Sequence, residues 1–343
     1  MKILQLCTSL SFAGAEQVIL DLCSMSDHIF VIAGLQEGDN HFAVKAQQAN
    51  IPTFNLSMTN KFDLKVISRL NKLIDNENID LIHSHLVHAN FIGRLTASKT
   101  NVPIISTIHI VEKRFRPTHK WMELLTANKT NCITTVSQCV FDHAKNNIGL
   151  PKNKLCLIPN GIDTERFKPN IDIMRDIDIL ILGRLDRQKG IDLILPTLKK
   201  IVNQTPLRCV IVGSGPEEQN LKKQAKELNL AIEWQAFSDK PEEWFKRSKI
   251  CLIPSRWEGF GLVAAEALSS QCQVLHSGVD SLGSVCGQEA ITFSDNNEDW
   301  ATQVIECHNN FIENTSGRLW IKENFSKRTM LESYKRLYES CVV

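Results

Sequence analysis

Two glutamates, Glu258 and Glu266, flank a turn at 259–261 that is bracketed by glycines. The apolar run 250–254 before the turn predicts a buried strand, and the apolar run 262–268 after it predicts a helix. The turn would deliver a carboxylate and free backbone N–H groups to the carboxyl end of a strand, where open α/β sheets bind their ligands. A helix N-terminus at that place favours an anion such as a diphosphate. A carboxylate within an apolar helix needs a partner, which sugar hydroxyl groups could supply.

A second loop offers cations for the same kind of ligand. Arg184 and Lys189 follow an apolar, strand-like run and stand five positions apart, in a turn that Gly183 and Gly190 frame. An arginine presents fixed bidentate donors and a lysine a compact point charge, so both could meet one phosphate-sized target. A leaving nucleoside diphosphate gains negative charge in the transition state, and cations placed in advance would accelerate its departure. The alternative is a solvated basic turn, which is our interpretation of the neighbouring Arg187.

A histidine closes one of the strands predicted in the first half. His109 is the last residue of the apolar run 103–109. At the carboxyl end of a strand it could bond a sugar hydroxyl or help to orient an acceptor, or it could be purely structural. The nearby His83, His85 and His88 are better explained as buried residues with satisfied hydrogen bonds. They do not predict a zinc site, because no cysteine or aspartate stands beside them at metal-ligand spacing.

The composition argues against several classes of protein. The 343 residues carry 39 basic and 38 acidic side chains, a net charge of +1, which does not suit a nucleic-acid binder with an overall basic field. The 11 cysteines are scattered and odd in number, and Met1 and Lys2 lead straight into a strand-like run. Both features favour a reducing compartment, so we expect a cytoplasmic protein. No apolar run approaches the roughly 20 residues of a membrane-spanning helix.

Strand-like and helix-like runs alternate in two successive series. The strands predicted in the first half are 2–8, 30–35, 79–85, 103–109 and 131–137. The strands predicted in the second half are 178–184, 207–215, 231–237, 249–254 and 272–278. Such alternation predicts parallel sheets with crossover helices, here in two Rossmann-like domains, 1–165 and 176–325. The polar stretch 163–176 is the expected linker, and the tail 325–341 predicts an amphipathic helix.

Together these motifs resemble those of retaining glycosyltransferases of the GT-B fold, family 4 (group 1), over nearly the whole chain. The stretch 254–262, which reads P-S-R-W-E-G-F-G-L, carries most of the resemblance. It implies an α/β fold of two Rossmann-like domains that face a central cleft. The domain 1–165 would bind the acceptor and 176–325 the nucleotide-sugar donor, and the last helix, 326–343, would pack back on the first domain. Enzymes of this fold generally need no metal or other cofactor.

The resemblance also assigns roles to individual residues. Arg184 and Lys189 would bind the donor diphosphate, and His109 would lie near the reacting sugar. Glu258 would hold hydroxyls of the transferred sugar, and Glu266 would hold the ribose. The implied donor site further contains Gly14, Gly213, Gly215, Gly259, Phe260, Gly261 and Leu262.

The activity that the resemblance implies is sugar transfer with retention of the anomeric configuration. The donor would be a UDP- or GDP-linked sugar, and the acceptor a saccharide or a lipid-linked saccharide. Such a reaction fits the synthesis of a surface polysaccharide or glycolipid. The identity of the sugar, the base and the acceptor stays open.

The chain departs from the family pattern at several positions. In the loop 276–285, Asp280 and Ser281 replace two glycines, and Ser284 stands where a glutamate is usual. Ala13 likewise replaces the first glycine of the loop that follows the first strand. An aspartate beside a diphosphate would repel it unless the carboxylate points away. These changes leave the fold prediction intact and leave the donor open.

Two alternatives to a transferase remain. One is a GT-B-fold epimerase, which would act on the nucleotide sugar without an acceptor. The other is a non-catalytic nucleotide-sugar-binding partner, for which the altered loop 276–285 is the support.

A basic and aromatic stretch, 111–121, follows the strand that His109 ends. It could bind an anionic membrane surface or a lipid-linked acceptor, or it could be a solvated loop with two packed aromatic side chains. In the first case we expect peripheral contact at the inner face of the cell membrane.

Overall fold

The computed structural model describes residues 1–11, 14–38, 41–60, 63–111, 117–293 and 297–342. The chain divides into two compact units. Unit 1 comprises Met1–Gly161 together with Arg328–Val343, and unit 2 comprises Ile162–Lys327.

A parallel sheet forms the centre of unit 1. Its strands are β1 (Lys2–Ser9), β2 (Ile29–Gln36), β3 (Thr53–Asn55), β4 (Leu81–His85), β5 (Ile104–Ile108), β6 (Cys132–Thr135) and β7 (Leu155–Leu157). Within the described residues these seven strands form one sheet in the order β3-β2-β1-β4-β5-β6-β7. Every neighbouring pair is parallel.

Helices of unit 1 cover both faces of this sheet. They are α1 (Gly14–Leu22), α2 (His41–Gln48), α3 (Lys65–Glu77), α4 (Val87–Thr100), α5 (Pro117–Thr126) and α6 (Gln138–Asp142), and α6 continues into a π-helical turn, His143–Ile148. Short 3-10 turns lie at Ala127–Lys129 and Lys152–Lys154.

The longer strands of unit 1 follow the apolar runs. The five runs predicted as strands in this half are confirmed as β1, β2, β4, β5 and β6. Their near-continuous apolar sequences suit parallel strands that are covered on both faces. β3 and β7 were not predicted, because each has three residues and is only partly buried, which is too short for a periodic signal.

Unit 2 has a second parallel sheet. Its strands are β8 (Ile177–Leu182), β9 (Cys209–Val212), β10 (Ile232–Gln235), β11 (Ser248–Ile253), β12 (Gln273–His276) and β13 (Ile291–Thr292). Among the described residues these six are ordered β10-β9-β8-β11-β12-β13. The helices are α7 (Ile191–Gln204), α8 (Glu218–Glu227), α9 (Pro241–Arg247), α10 (Leu262–Ser269), α11 (Leu282–Cys286), α12 (Asn297–Asn309) and α13 (Thr315–Asn324). The five strands predicted in this half are confirmed, and the two-residue β13 was missed.

The strand order of unit 2 reverses between β8 and β11. From β8 the chain moves outward to β9 and β10, and after β11 it moves outward in the opposite direction to β12 and β13. The loops that leave the carboxyl ends of β8 and β11 therefore diverge. Such a topological switch point is where open α/β sheets bind ligands.

The stretch 163–176, expected as a linker, is grouped with unit 2. Two of its arginines hold it there. Arg166 forms an ion pair with Glu242 at 2.8 Å, and Arg175 donates to the Ser270 carbonyl at 2.8 Å.

The amphipathic tail is confirmed as a helix, α14 (Lys327–Val342). Its buried residues, Met330, Tyr334 and Tyr338, stand four positions apart and so form one stripe along the helix. The Tyr338 hydroxyl accepts a hydrogen bond from Gln5 of β1 at 3.3 Å, which fixes the helix on the unit 1 sheet.

Across the described ranges, none of the helices combines the length and the apolar character needed to cross a membrane.

Candidate functional site

Lys189 and Glu258 meet at the switch point of unit 2. Lys189 ends a 3-10 turn that follows β8, and Glu258 lies in the loop that follows β11. Lys189 Nζ donates to Glu258 Oε1 at 2.6 Å, and the Glu258 side chain is only 8% exposed. The structure thus brings together the cation predicted for the diphosphate and the carboxylate predicted for the sugar.

The Glu258 carboxylate is held through one of its two oxygens. Ser255 Oγ also donates to Oε1, at 2.8 Å. Within the described residues, Oε2 accepts no hydrogen bond. A carboxylate held in this way can offer Oε2 to a sugar hydroxyl without giving up its existing partners.

Arg256 and Asp192 fix the two loops against each other. The Arg256 guanidinium donates to both Asp192 oxygens at 2.7 Å and thereby lowers the pKa of that carboxyl. The Arg256 backbone N–H donates to the Gln188 carbonyl at 2.7 Å. Gly190 has φ +64°, and a Cβ there would lie 2.1 Å from the Pro254 carbonyl oxygen. These contacts set the spacing of the loops and therefore of the ion pair that joins them.

Side chains of the altered loop 276–285 hold Glu258 and the turn 259–261 that follows it. Asp280 has φ +49°, a left-handed conformation that aspartate tolerates better than most residues other than glycine. Its Oδ2 accepts the Glu258 backbone N–H at 3.0 Å. Ser281 Oγ donates to the Phe260 carbonyl at 2.9 Å. The two residues that replace glycines therefore anchor the turn that carries the candidate sugar-binding carboxylate.

Glycines let the turn after β9 pack on the loop after β8. A Cβ at Gly213 would lie 1.9 Å from the Gly183 carbonyl oxygen. A Cβ at Gly215 would lie 2.3 Å from the Leu185 carbonyl oxygen. Side chains are excluded at both places, so the two predicted glycines lie directly beside the loop that carries Lys189.

Arg184 is not brought to the ion pair. Its side chain is 67% exposed, and its Nε lies 3.6 Å from the Asp186 carboxylate. The residue is therefore placed in the same loop as Lys189 but extends into solvent.

The turn 259–261 leads directly into α10, as predicted. Phe260 is buried, and its ring meets that of Phe325 edge-to-face with centroids 5.4 Å apart. Leu262 is the first residue of α10, and Glu266 lies one turn later and is partly buried. The N-terminus of this helix thus stands beside the carboxyl end of β11.

In unit 1, the predicted residues follow β1 and β5, the two strands that flank β4 at the middle of the sheet. Gly14 is the first residue of α1, which follows β1, whereas Ala13 lies outside the described residues. His109 follows β5, and its Nε2 is 2.9 Å from Nδ1 of the buried His85. Burial lowers the pKa of His109 to about 4, so its ring is neutral at pH 7. His85 is confirmed as a buried residue with satisfied hydrogen bonds, but its contact with His109 was not predicted.

Part of the stretch proposed for membrane contact, 111–121, lies outside the described residues, namely 112–116. The following helix, α5, exposes two apolar side chains one turn apart. Trp121 is 62% exposed and Leu125 is 70% exposed. On the opposite side of α5, Glu123 is buried and pairs with the buried Arg94 at 2.6 Å. The contact with a membrane stays a prediction.

No group of three or more histidine, cysteine, aspartate or glutamate side chains suited to a metal ion occurs among the residues that the structure describes.

Two family models together match most of the chain. The model "Glycosyltransferase Family 4" matches residues 13–166, and the model "Glycosyl transferases group 1" matches residues 162–314. The chain belongs to the group 1, family 4 glycosyltransferases. The resemblance to family 4 (group 1) stated from the sequence is therefore confirmed.

Two relatives and one solved structure resemble the chain over about two thirds of its length or more. An uncharacterised 41.2 kDa protein in the cps region of Klebsiella pneumoniae is 27% identical, over 83% of this chain and 85% of its own length. The Escherichia coli UDP-Gal:alpha-D-GlcNAc-diphosphoundecaprenol alpha-1,3-galactosyltransferase is 26% identical, over 67% of this chain and 66% of its own. Anabaena Alr3699/HepE, solved in complex with UDP and glucose, superposes with a TM-score of 0.89 at 17% identity, over 99% of this chain and 100% of that one. The GT-B fold predicted from the sequence is confirmed.

Proposed function

We propose that this glycosyltransferase moves a sugar from a nucleotide-diphosphate donor to a saccharide or lipid-linked acceptor, with retention of the anomeric configuration. The observation that carries the proposal is the Lys189–Glu258 ion pair at the switch point of unit 2. One of its members is a cation suited to a phosphate, and the other is a carboxylate with an oxygen available to a hydroxyl.

The charges of the site suit a leaving diphosphate. When the bond between the anomeric carbon and the phosphate oxygen breaks, negative charge moves onto the diphosphate. Lys189 and Arg184 would stabilise that charge, and a preorganised cation acts more strongly where water is excluded. Glu258 Oε2 would accept a hydrogen bond from a hydroxyl of the sugar. It would thereby hold the sugar ring while the anomeric carbon becomes oxocarbenium-like.

For retention, the acceptor oxygen would attack the face that the diphosphate leaves. The new bond to the anomeric carbon forms as the old one breaks, and the acceptor proton passes to the departing phosphate oxygen. The products are the nucleoside diphosphate and a glycoside with the configuration of the donor. This course requires no further base among the side chains of the site.

UDP is the nucleotide that we propose first. The Escherichia coli relative uses UDP-galactose by its name, and the Anabaena structure holds UDP and glucose. The same relative acts on a sugar linked to diphosphoundecaprenol, which supports a lipid-linked saccharide as acceptor and a role in surface polysaccharide synthesis. GDP-linked donors are the alternative.

Titration calorimetry of the purified chain with UDP, GDP and ADP, without added metal, tests the donor. We expect UDP to bind at least about tenfold more tightly than GDP or ADP, a difference of about 1.4 kcal/mol. Arg184→Ala should weaken UDP binding by a similar factor through loss of a phosphate contact. Arg187→Ala, in the same loop, is the matched control and should bind UDP as the parent chain does. Tighter binding of GDP would reassign the base, and binding of none of the three would contradict the donor site.

An acceptor assay separates transferase from the two alternatives. UDP release from UDP-galactose or UDP-glucose that requires a GlcNAc-diphospholipid or another saccharide acceptor supports a transferase. Conversion of the sugar without an acceptor indicates an epimerase, and binding without any turnover indicates a non-catalytic partner. The anomeric configuration of the product, read by proton NMR, decides between retention and inversion.

A lipid-linked acceptor implies work at a membrane surface, and we propose cytoplasmic placement with peripheral contact through 111–121 and α5. Exposed Trp121 and Leu125 could enter the interface while basic residues of the stretch meet anionic headgroups. Cosedimentation with phosphatidylglycerol vesicles should fall at least about threefold in the double variant Trp121→Ser and Leu125→Ser. Ile171→Ser, at a fully exposed residue of unit 2, serves as the control. Equal cosedimentation of all three proteins would exclude this surface.

A further inference from the structure

A chain of hydrogen bonds runs through the interior of unit 1 from His109 to α14. His109 Nε2 lies 2.9 Å from His85 Nδ1, and His85 Nε2 lies 2.7 Å from the Gln5 amide oxygen. The Gln5 amide nitrogen donates to the Tyr338 hydroxyl at 3.3 Å. The same hydroxyl lies 2.7 Å from His83 Nδ1. Apart from His109, all of these side chains are fully buried, so water does not compete for their bonds.

The Gln5 amide gives the chain a direction. An amide oxygen can only accept a hydrogen bond, so His85 must carry its proton on Nε2. His85 Nδ1 then has a lone pair, and its bond to His109 requires a proton on His109 Nε2. Burial keeps the pKa of both rings well below 6.5, so each ring carries one proton at pH 7. His109 Nδ1 therefore carries a lone pair and no proton.

The far end of the chain fits the same direction. The Gln5 amide nitrogen can only donate, so the Tyr338 hydroxyl accepts from it and gives its own proton to His83 Nδ1. His83 Nε2 then donates to Thr107 Oγ1, which lies 2.7 Å away. Thr107 Oγ1 lies 2.5 Å from Thr134 Oγ1 and can donate its own proton to that oxygen. Each hydrogen bond between His109 and Thr134 therefore has one donor and one acceptor, and the order is consistent from one end to the other.

We propose that Gln5, His85 and Tyr338 are positioning residues that hold His109 in the tautomer whose Nδ1 accepts a hydrogen bond from a sugar hydroxyl. The inference rests on the proposed function, because it takes His109 to meet a sugar. Within the described residues, Nδ1 of His109 has no hydrogen-bond partner, while Nε2 is occupied by His85. In the opposite tautomer Nδ1 would be a donor, so it could not accept the hydrogen bond that orients the sugar.

Through Tyr338, α14 would help to position His109. Tyr338 stands 333 positions after Gln5 and reaches it through the packing of the helix on the sheet. Without the Tyr338 hydroxyl, the Gln5 amide nitrogen loses its acceptor. The amide can then turn over, and the direction of the chain up to His109 is no longer fixed.

The test compares two tyrosines of the same helix face. Tyr338→Phe removes a link between Gln5 and His83. Tyr334→Phe is the matched control, because Tyr334 is equally buried but bonds Thr107 at 3.4 Å and Thr134 at 3.1 Å, both beyond His83 in the chain. Nitrogen-15 NMR of the full chain labelled in histidine reports the tautomer of each ring, and the His109 signals are those missing from His109→Gln. Circular dichroism checks that each variant is folded.

We expect His109 of the parent chain to be neutral with its proton on Nε2. In Tyr338→Phe it should become a mixture of tautomers, and turnover should fall roughly tenfold at unchanged donor KM. Tyr334→Phe should keep both the tautomer and turnover. A proton on Nδ1 in the parent chain, or an unchanged tautomer in Tyr338→Phe, would overturn the inference.

The NMR result does not depend on turnover, so the two proposals can fail separately. The expected tautomers combined with no sugar transfer contradict the proposed function alone. Sugar transfer by a chain whose His109 carries its proton on Nδ1 contradicts the positioning of His109 alone. In Gln5→Met the acceptor for His85 Nε2 is lost, and a mixture of His109 tautomers in that variant gives independent support.

Discussion

The substitution Lys189→Ala should lower kcat/KM for sugar transfer about 1000-fold. Loss of one preorganised donor to a developing negative charge typically costs a factor of 10² to 10³. Here the same change also leaves Glu258, which is 8% exposed, without its counter-ion, so the carboxylate that holds the sugar loses its position. Initial rates of acceptor-dependent UDP release, measured over a range of donor concentrations, give the value.

Arg187→Ala provides the comparison for this variant. Arg187 stands in the same 3-10 turn, and its side chain is exposed. We expect its activity to stay within about twofold of the parent chain, since isolated surface changes have small effects. Thermal melts of both variants show whether the fold is kept. If a folded Lys189→Ala variant keeps more than a tenth of the parent activity, the proposed role of Lys189 in the reaction is wrong.

Glu123→Ala should lower the free energy of unfolding of unit 1 by about 3–5 kcal/mol, because it leaves a buried charge without a partner. Glu123 Oε2 accepts from Arg94 Nη1 at 2.6 Å, and both side chains are almost completely buried. Arg94 also donates to Ser106 Oγ of β5 at 3.0 Å, so the ion pair joins α4 and α5 to the sheet. Native-state hydrogen exchange of β5 amides reports this energy for unit 1 by itself.

A partly exposed ion pair of the same unit is the control. Lys2 and Glu77 are 2.7 Å apart, with side chains 28% and 25% exposed. Glu77→Ala should cost no more than about 1 kcal/mol, since solvent screens such pairs. The double variant Arg94→Met and Glu123→Leu should recover most of the loss by replacing both charges with apolar groups. Equal effects of Glu123→Ala and Glu77→Ala would show that burial does not decide the cost.

Local patterns in the sequence were enough to predict the strands and the candidate ligand groups. The ten longer strands coincide with apolar runs. Lys189 was selected because it follows such a run in a turn framed by glycines, and Glu258 because it stands between such a run and the glycine-bracketed turn 259–261. Chain topology then brings the two loops together, because neighbouring parallel strands end at the same edge of a sheet.

Contacts between distant residues could not be read from local patterns. Arg256 and Asp192 stand 64 positions apart, and no sequence motif predicts that they pair. The same holds for His83 and Tyr338, which are 255 positions apart and which neither periodicity nor spacing links. Asp280 was expected to repel a diphosphate unless it pointed away. Its left-handed backbone turns one carboxylate oxygen toward the Glu258 N–H, and a backbone angle of this kind has no signature in a single sequence.

The order in which the chain is synthesised gives the polar face beneath α14 a further meaning. α14 completes unit 1 but follows the whole of unit 2 in the sequence, so a ribosome delivers it last. At roughly 5–20 residues per second, the nascent sheet waits on the order of ten seconds for this helix. During that time Gln5, His83, Thr107 and Thr134 can bond water, whereas an apolar face of the same size would attract other nascent chains. A polar strip in place of an apolar one thus keeps the unfinished sheet from aggregating until α14 packs on it.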